Sequence, residues 1–102
     1  MGIQYDAMTY VGEYFDTELE VAEMFVEQGV ITLAVDQDIE SLDSDWLKHL
    51  SGLDIQCENY LTGEGYYVGF EAGDWKGYQK LLDEYKRVTG RDGEVHDFVQ
   101  VN

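Results

Sequence analysis

The chain has 102 residues, of which 44% are hydrophobic and 14% aromatic, and its 22 acids against 6 bases leave a formal net charge of -16. Such a surface repels nucleic acid and anionic membranes, which argues against direct binding to either, while 14 aromatic side chains exclude a mostly disordered acidic tail. No apolar run approaches the roughly 20 residues that span a bilayer, no basic patch leads into an apolar amino-terminal stretch, and Cys57 has no second cysteine to pair with, so one compact cytoplasmic domain over 1–102 is expected.

The first stretch, IQYDAMTYV, places Ile3, Tyr5, Ala7, Thr9 and Val11 on one face in period two, which predicts a strand. TELEVAEMFVEQ follows as an amphipathic helix over 17–28. Thr17 and Glu20 form an S/T-x-x-E capping box at its start, and Gly29 stands where a C-terminal cap belongs. Leu19, Ala22, Phe25 and Val26 are its expected inward stripe. Glu20, Glu23 and Glu27 recur along the outer face, and Asp16 extends the row.

The apolar run VITLAV predicts a buried strand from Val30 to Val35. A second helix is expected over 39–51, with Ile39, Leu42, Trp46 and Leu50 at helical spacing and Gly52 as its cap. LDIQCENYL and YYVGFEA alternate on either side of TGEG, so 53–72 reads as an antiparallel hairpin with Leu53, Ile55 and Cys57 on one face. A third helix near 74–89 aligns Trp75, Tyr78, Leu82 and Tyr85 and ends at Gly90, with Lys86 and Arg87 suited to the helix dipole. EVHDFVQV is the final strand. The order β-α-β-α-β-β-α-β predicts an α+β fold, about three helices packed on a four- to five-stranded mixed or antiparallel sheet.

Few combinations carry recognisable chemistry. Asp36, Asp38 and Glu40 occupy the first, third and fifth places of an EF-hand-like loop, but Ser41 replaces the turn glycine and Leu47 the bidentate glutamate, so an acid-rich loop is preferred to a calcium site. Cys57 with His96 and Asp97 supplies the types of a nucleophile, base and orienter, yet Cys57 lies on an apolar strand face and reads as core. Two histidines, His49 and His96, and one cysteine make no zinc pattern. GEGYYVG holds glycines in a hairpin rather than a strand-to-helix turn, and Glu64 within it opposes phosphate. No metal, cofactor or catalytic residue is assigned, and the chain is not expected to be an enzyme.

Charge distribution carries the functional reading. Met1 to Leu47 hold 12 acids and no Lys or Arg, whereas Lys48 to Asn102 hold 10 acids and all 6 bases. Solubility of a small domain needs a net charge of only about 2 to 8. The expectation is a protein-binding inhibitor whose acids stand in for phosphates and occlude a basic nucleic-acid-binding protein. Its contact set is Asp16, Glu20, Glu23, Glu27, Asp36, Asp38, Glu40, Asp43 and Asp45, with Tyr10 and Tyr14 as aromatic anchors. In size and charge, though in no motif, the chain is similar to phage anti-defence proteins of the anti-restriction or anti-CRISPR kind and to immunity proteins that neutralise nucleases. The competing readings are a soluble α+β domain with a merely solvated acidic face, and a small-ligand or divalent-cation-binding domain or enzyme. Oligomeric state stays open, with a dimer through an edge strand or exposed tyrosines as one route.

Overall fold

The computed structural model describes residues 2–73 and 77–102. In chain order the elements are β1 (Tyr5–Phe15), α1 (Glu18–Glu27), a 3-10 turn (Ile39–Ser41), α2 (Ser44–Ser51), β2 (Asp54–Asn59), β3 (Glu64–Glu71), α3 (Tyr78–Thr89) and β4 (Glu94–Val101). The fold is α+β, with three helices on a four-stranded mixed sheet. The predicted hairpin and final strand form, and the first strand extends through Phe15. Helix starts and stops are set by local chemistry. The Thr17 hydroxyl accepts from the Glu20 backbone N–H at 3.2 Å, and Glu20 accepts in return from the Asp16 N–H at 3.2 Å, one residue earlier than in the usual box. At the other end Val30 N–H donates to the Phe25 carbonyl and Gly29 N–H to that of Val26, a Schellman closure around Gly29 in the left-handed region.

The sheet closes on itself in the order β1-β3-β2-β4. β1 pairs antiparallel with β4 from Tyr5 to Gly12 and with β3 from Tyr10 to Phe15, so one long strand serves both halves. Closure between β2 and β4 rests on the parallel pairing of Asn59 with Val101, and the Gln100 amide adds bonds to the Gln56 side chain at 2.9 Å and the Cys57 carbonyl at 3.1 Å. So small a ring demands a sharp bend. Gly12 and Gly69 supply it where β1 and β3 face one another, with φ of 156° and 146°.

Two apolar clusters follow. The larger lies between helices and sheet and contains Val21, Phe25, Leu47, Ile55, Val68 and Tyr85; the smaller joins Tyr10, Tyr67 and Phe98, the last two stacked at 3.7 Å between ring centroids.

The structure corrects several sequence expectations. Val30 to Val35 forms no strand: the chain there is irregular, Ile31 is buried against α1, and Val35 is fully exposed. The N–H groups of Val30 and Ile31 are both taken by the Phe25 carbonyl at the end of α1, and the described ladders pair the four strands only with one another. The helix expected over 39–51 is interrupted, because Leu42 and Asp43 are extended and the Asp43 carboxylate accepts from the Trp46 N–H at 2.9 Å to start α2 afresh. The break shifts the phase. Leu47 is the buried residue of α2, while Trp46 is 55% exposed and Leu50 is exposed too. On α1 the inward stripe is Val21, Ala22, Met24 and Phe25, with Leu19 exposed and Val26 half-buried. Of the alternating face at the amino terminus only Val11 is buried. Trp75 and the expected start of the third helix at 74 lie outside the described residues.

Buried and half-buried tyrosines give the fold an alkaline limit. Burial, and secondarily the charges of Cys57 and Glu18, push the Tyr66 hydroxyl up to about 12, and burial pushes Tyr10 and Tyr85 in the same direction. In the unfolded chain these groups ionise near pH 10. Each raised pKa therefore contributes stability that is complete below about pH 10 and is lost as pH rises from there through the folded value. An alkaline titration followed by phenolate absorbance should show these tyrosines lagging behind exposed ones until the chain unfolds. Titration of all eight tyrosines as one class near pH 10, with the fold intact, contradicts the assignment.

Candidate protein-binding face

The outward surface of α1 follows from its inward one. With Val21, Ala22, Met24 and Phe25 turned to the core, helical geometry turns Glu20, Glu23 and Glu27 to solvent on the opposite side, and all three are exposed. Asp16, also exposed, sits just ahead of the N-cap. None of these four lies within 4.0 Å of a cation among the described residues.

The bases are engaged elsewhere. Arg87 grips Glu84 one turn away, Lys86 meets Asp92 at 3.3 Å, and Lys48 approaches Asp54 at 4.0 Å. Arg91 shares a shallow depression with Glu20, Glu23 and Glu27, yet its guanidinium is held by both oxygens of Glu13, at 2.6 and 2.7 Å. Glu13 also accepts from the Tyr85 hydroxyl at 2.9 Å. So of the twelve acids before Lys48, Glu13 alone is answered by a cation among the described residues, and the row on α1 keeps its field.

The remaining predicted contact residues divide. Asp36, Asp38, Glu40, Asp43 and Asp45 are exposed, but Asp38 caps the 3-10 turn through the Glu40 N–H at 3.0 Å and Asp43 caps α2. Their carboxylates have folding roles as well as charge. Asp43 and Asp45 line a different depression from the α1 row, together with Glu18, Lys48 and Tyr66. Glu18 joins the starts of the two helices, accepting from the Ser44 N–H at 2.8 Å and from the Ser44 hydroxyl. Glu20, Glu23 and Glu27 thus line one depression, and Glu18, Asp43 and Asp45 another.

The tyrosines separate as well. Tyr10 is fully buried, with its ring 5.7 Å from that of Phe98 and its hydroxyl bonded to Asp54, so it is removed from any contact surface. Burial of alternate β1 residues inside the closed sheet, invisible to sequence periodicity, is the reason. Tyr14 is exposed, and its ring leans on Tyr67 at 5.0 Å. Partial burial and the charges of Glu58 and Asp16 push its hydroxyl up. It is the one predicted anchor that stands beside the acids.

The residues weighed for catalysis do not converge. The Cys57 thiol is buried, points at the carbonyls of Asn59 and Glu64 at 3.3 and 3.6 Å, and is pushed up by that burial, opposite to the shift a nucleophile needs. Asp97 accepts from the Thr9 hydroxyl at 2.6 Å rather than orienting a base, and His96 lies against Tyr67 at a different depression from Cys57. Among the described residues no three His, Cys, Asp or Glu side chains gather as metal ligands, and no helix is long and apolar enough to cross a membrane. The Glu13–Arg91–Tyr85 and Glu18–Ser44 links went unanticipated, since each joins segments distant in sequence and no local pattern signals them. No family model, curated protein or solved structure matches this chain.

Proposed function

We propose that this protein is an acidic, protein-binding inhibitor that presents the outer face of α1 to the nucleic-acid-binding groove of a basic partner and occludes it. The observation that carries this reading is the uncompensated row Glu20, Glu23 and Glu27 on a molecule whose described bases, Lys80 apart, are all committed to other acids. A rise of about 1.5 Å per residue spaces these carboxylates roughly 5 Å apart along the helix axis. One DNA strand carries a phosphate about every 3.4 Å. Asp16 and the acids between Asp36 and Asp45 add charge on the flank, and Tyr14 offers an aromatic contact beside it. The class of partner is a nuclease or a defence complex, as for phage anti-defence and nuclease immunity proteins.

A second reading, a solvated acidic surface without a partner, is favoured by the capping roles of Asp38 and Asp43 and the helix-joining role of Glu18, which account for part of the acid content by folding alone. The row on α1 separates the two. Replacing Glu20, Glu23 and Glu27 together by glutamine removes like-charge repulsion and retains the bond from the Asp16 N–H, so the melting temperature should be unchanged or higher. The test takes a basic partner captured from lysate and titrates the protein against that partner's nucleic-acid complex. Nucleic acid should be displaced, the affinity should fall steeply as salt rises, and the triple variant should bind about tenfold or more weakly. Simultaneous binding of both ligands, or equal binding by the variant, leaves only the solvated face.

A further inference from the structure

The ring of strands is closed at one end of β4 only. Gln4 and Asn102 exchange both backbone bonds, at 3.2 and 2.9 Å, in phase with the pairing of Tyr5 with Val101. Bonded and non-bonded pairs alternate along an antiparallel ladder. His96, Phe98 and Gln100 therefore turn their N–H and C=O groups towards β1, and Val95, Asp97, Val99 and Val101 turn theirs away. The neighbouring ladder keeps this phase: Thr9, opposite Asp97, gives its carbonyl to the Ala72 N–H at 2.8 Å, on the β3 side. On the outward side of β4 the Val101 carbonyl accepts from the Tyr60 N–H at 2.9 Å, and the pairing with β2 goes no further than Val101. One residue back, the Gln100 amide reaches across to Gln56 and to the Cys57 carbonyl, a side chain standing where a backbone ladder would continue. From Val99 to Val95 the described ladders leave the outward backbone of β4 without a partner, and Val95, Asp97 and Val99 are exposed.

A row of outward N–H and C=O groups recurring at every second residue is matched by another extended backbone, and the charge at the seam selects its composition. The two strands there carry Asp54, Glu58, Glu94 and Asp97, and neither holds a lysine or arginine. Of these carboxylates only Asp54 has a cation within 4.0 Å among the described residues, Lys48. Pairing with β4 of a second copy would set Glu94 and Asp97 against the same acids, and like charges facing one another across strands are destabilising. We propose that the β4 edge from Val95 to Val99 binds an extended basic segment of a partner protein, added to the sheet as a further strand. Val95 and Val99, 41% and 52% exposed, flank Asp97 on one face, and Asp97 accepts from the Thr9 hydroxyl at 2.6 Å. The segment therefore places a lysine or arginine opposite Asp97 and apolar residues opposite the valines. At about 3.4 Å per residue the free edge is roughly 17 Å long, room for about five residues of the partner. The edge is separate from the outer row of α1 and does not depend on the reading of that row.

Hydrogen exchange reads the edge directly. In the free protein the N–H groups of Val95, Asp97 and Val99 should exchange at least about tenfold faster than those of His96, Phe98 and Gln100. An alternating lysine–valine peptide of about seven residues, at about 1 mM, should slow the fast set by about tenfold and shift its amide resonances. The same peptide methylated on its backbone nitrogens keeps its charge and loses its donors, so it should bind at least about tenfold more weakly. A glutamate–valine peptide should not bind. Val99→Pro removes an N–H that β1 does not use, and should melt close to the parent while losing about tenfold in affinity for the lysine–valine peptide. Should that variant fold poorly, the methylated peptide decides the matter on the unaltered protein. Edge amides as protected in the free protein as the rest of β4, no protection by the lysine–valine peptide, or equal binding of the methylated peptide or by the Val99→Pro variant overturns the proposal. So do shifts confined to α1, and so does edge protection that rises with protein concentration alone, which assigns the edge to a second copy.

Discussion

Replacing Gly12 or Gly69 by alanine is expected to cost at least about 4 kcal/mol, a large share of the 5 to 15 kcal/mol that typically holds a domain together. A Cβ on Gly12 would stand 1.8 Å from the Val68 carbonyl oxygen, and one on Gly69 would stand 2.0 Å from that of Val11. Both obstacles are backbone, so no rotamer change relieves them. Gly12 also packs against Gly93, where a Cβ would meet Tyr85 at 3.0 Å and Gly12 at 3.1 Å, so β1 has no free side to move towards. The strands would have to separate at the bend that lets the sheet close. Gly29→Ala is the control: it too has a positive φ, of 70°, but nothing lies within 4 Å of its Cβ, and the cost should be about 1 kcal/mol. Urea unfolding of the three variants tests the ranking. Comparable stability of Gly12→Ala and Gly29→Ala would show that β1 and β3 do not approach as described.

Glu13→Ala should be the most damaging loss of a charged side chain, at about 2 to 4 kcal/mol. Glu13 is largely shielded, with 18% of its side chain exposed, and three bonds converge on it from the Arg91 Nε, the Arg91 guanidinium terminus and the Tyr85 hydroxyl. Tyr85 is fully buried. Removing the carboxylate strands its hydroxyl, frees Arg91, and loosens the carboxyl end of α3 from β1. Glu13→Gln keeps one acceptor and a similar shape, so it should lose roughly half as much. Glu23→Ala, on the same side of the chain's charge balance, should be neutral or stabilising because it removes only repulsion. Thermal melts of the three variants in one buffer give the comparison. A Glu13→Ala protein that melts with the parent would mean that the Arg91 link is solvated and contributes little.

Freed by such a variant, Arg91 would also lie beside Glu27, whose charge already acts on it. On the proposed function, the Glu13 grip would keep this cation from neutralising the α1 row. Glu13→Gln should then weaken partner binding even though the Glu13 side chain is largely shielded.

What the sequence by itself determined lies within a few residues of each signal. The Thr17 cap, the Gly29, Gly52 and Gly90 stops, the 53–72 hairpin and the strand at 94–101 depend on bonds between near neighbours and on alternation, and each appears in the structure. The exposure of Glu20, Glu23 and Glu27 was legible for the same reason, since helical periodicity alone sets them opposite the apolar stripe. Closure of the sheet was decided elsewhere. It paired the four strands with one another and left Val30 to Val35 outside the sheet, drew Tyr10 into the interior, and left Ile3 and Tyr5 uncovered although their alternation was sound. Asp43 broke the second helix because a short carboxylate beside an unpaired N–H competes with helix continuation, and its success depended on where Glu18 held Ser44. The pairing of Arg91 with Glu13 spans 78 positions. Periodicity reports which residues share a side, but only packing between distant segments decides whether that side meets the core, another chain or water.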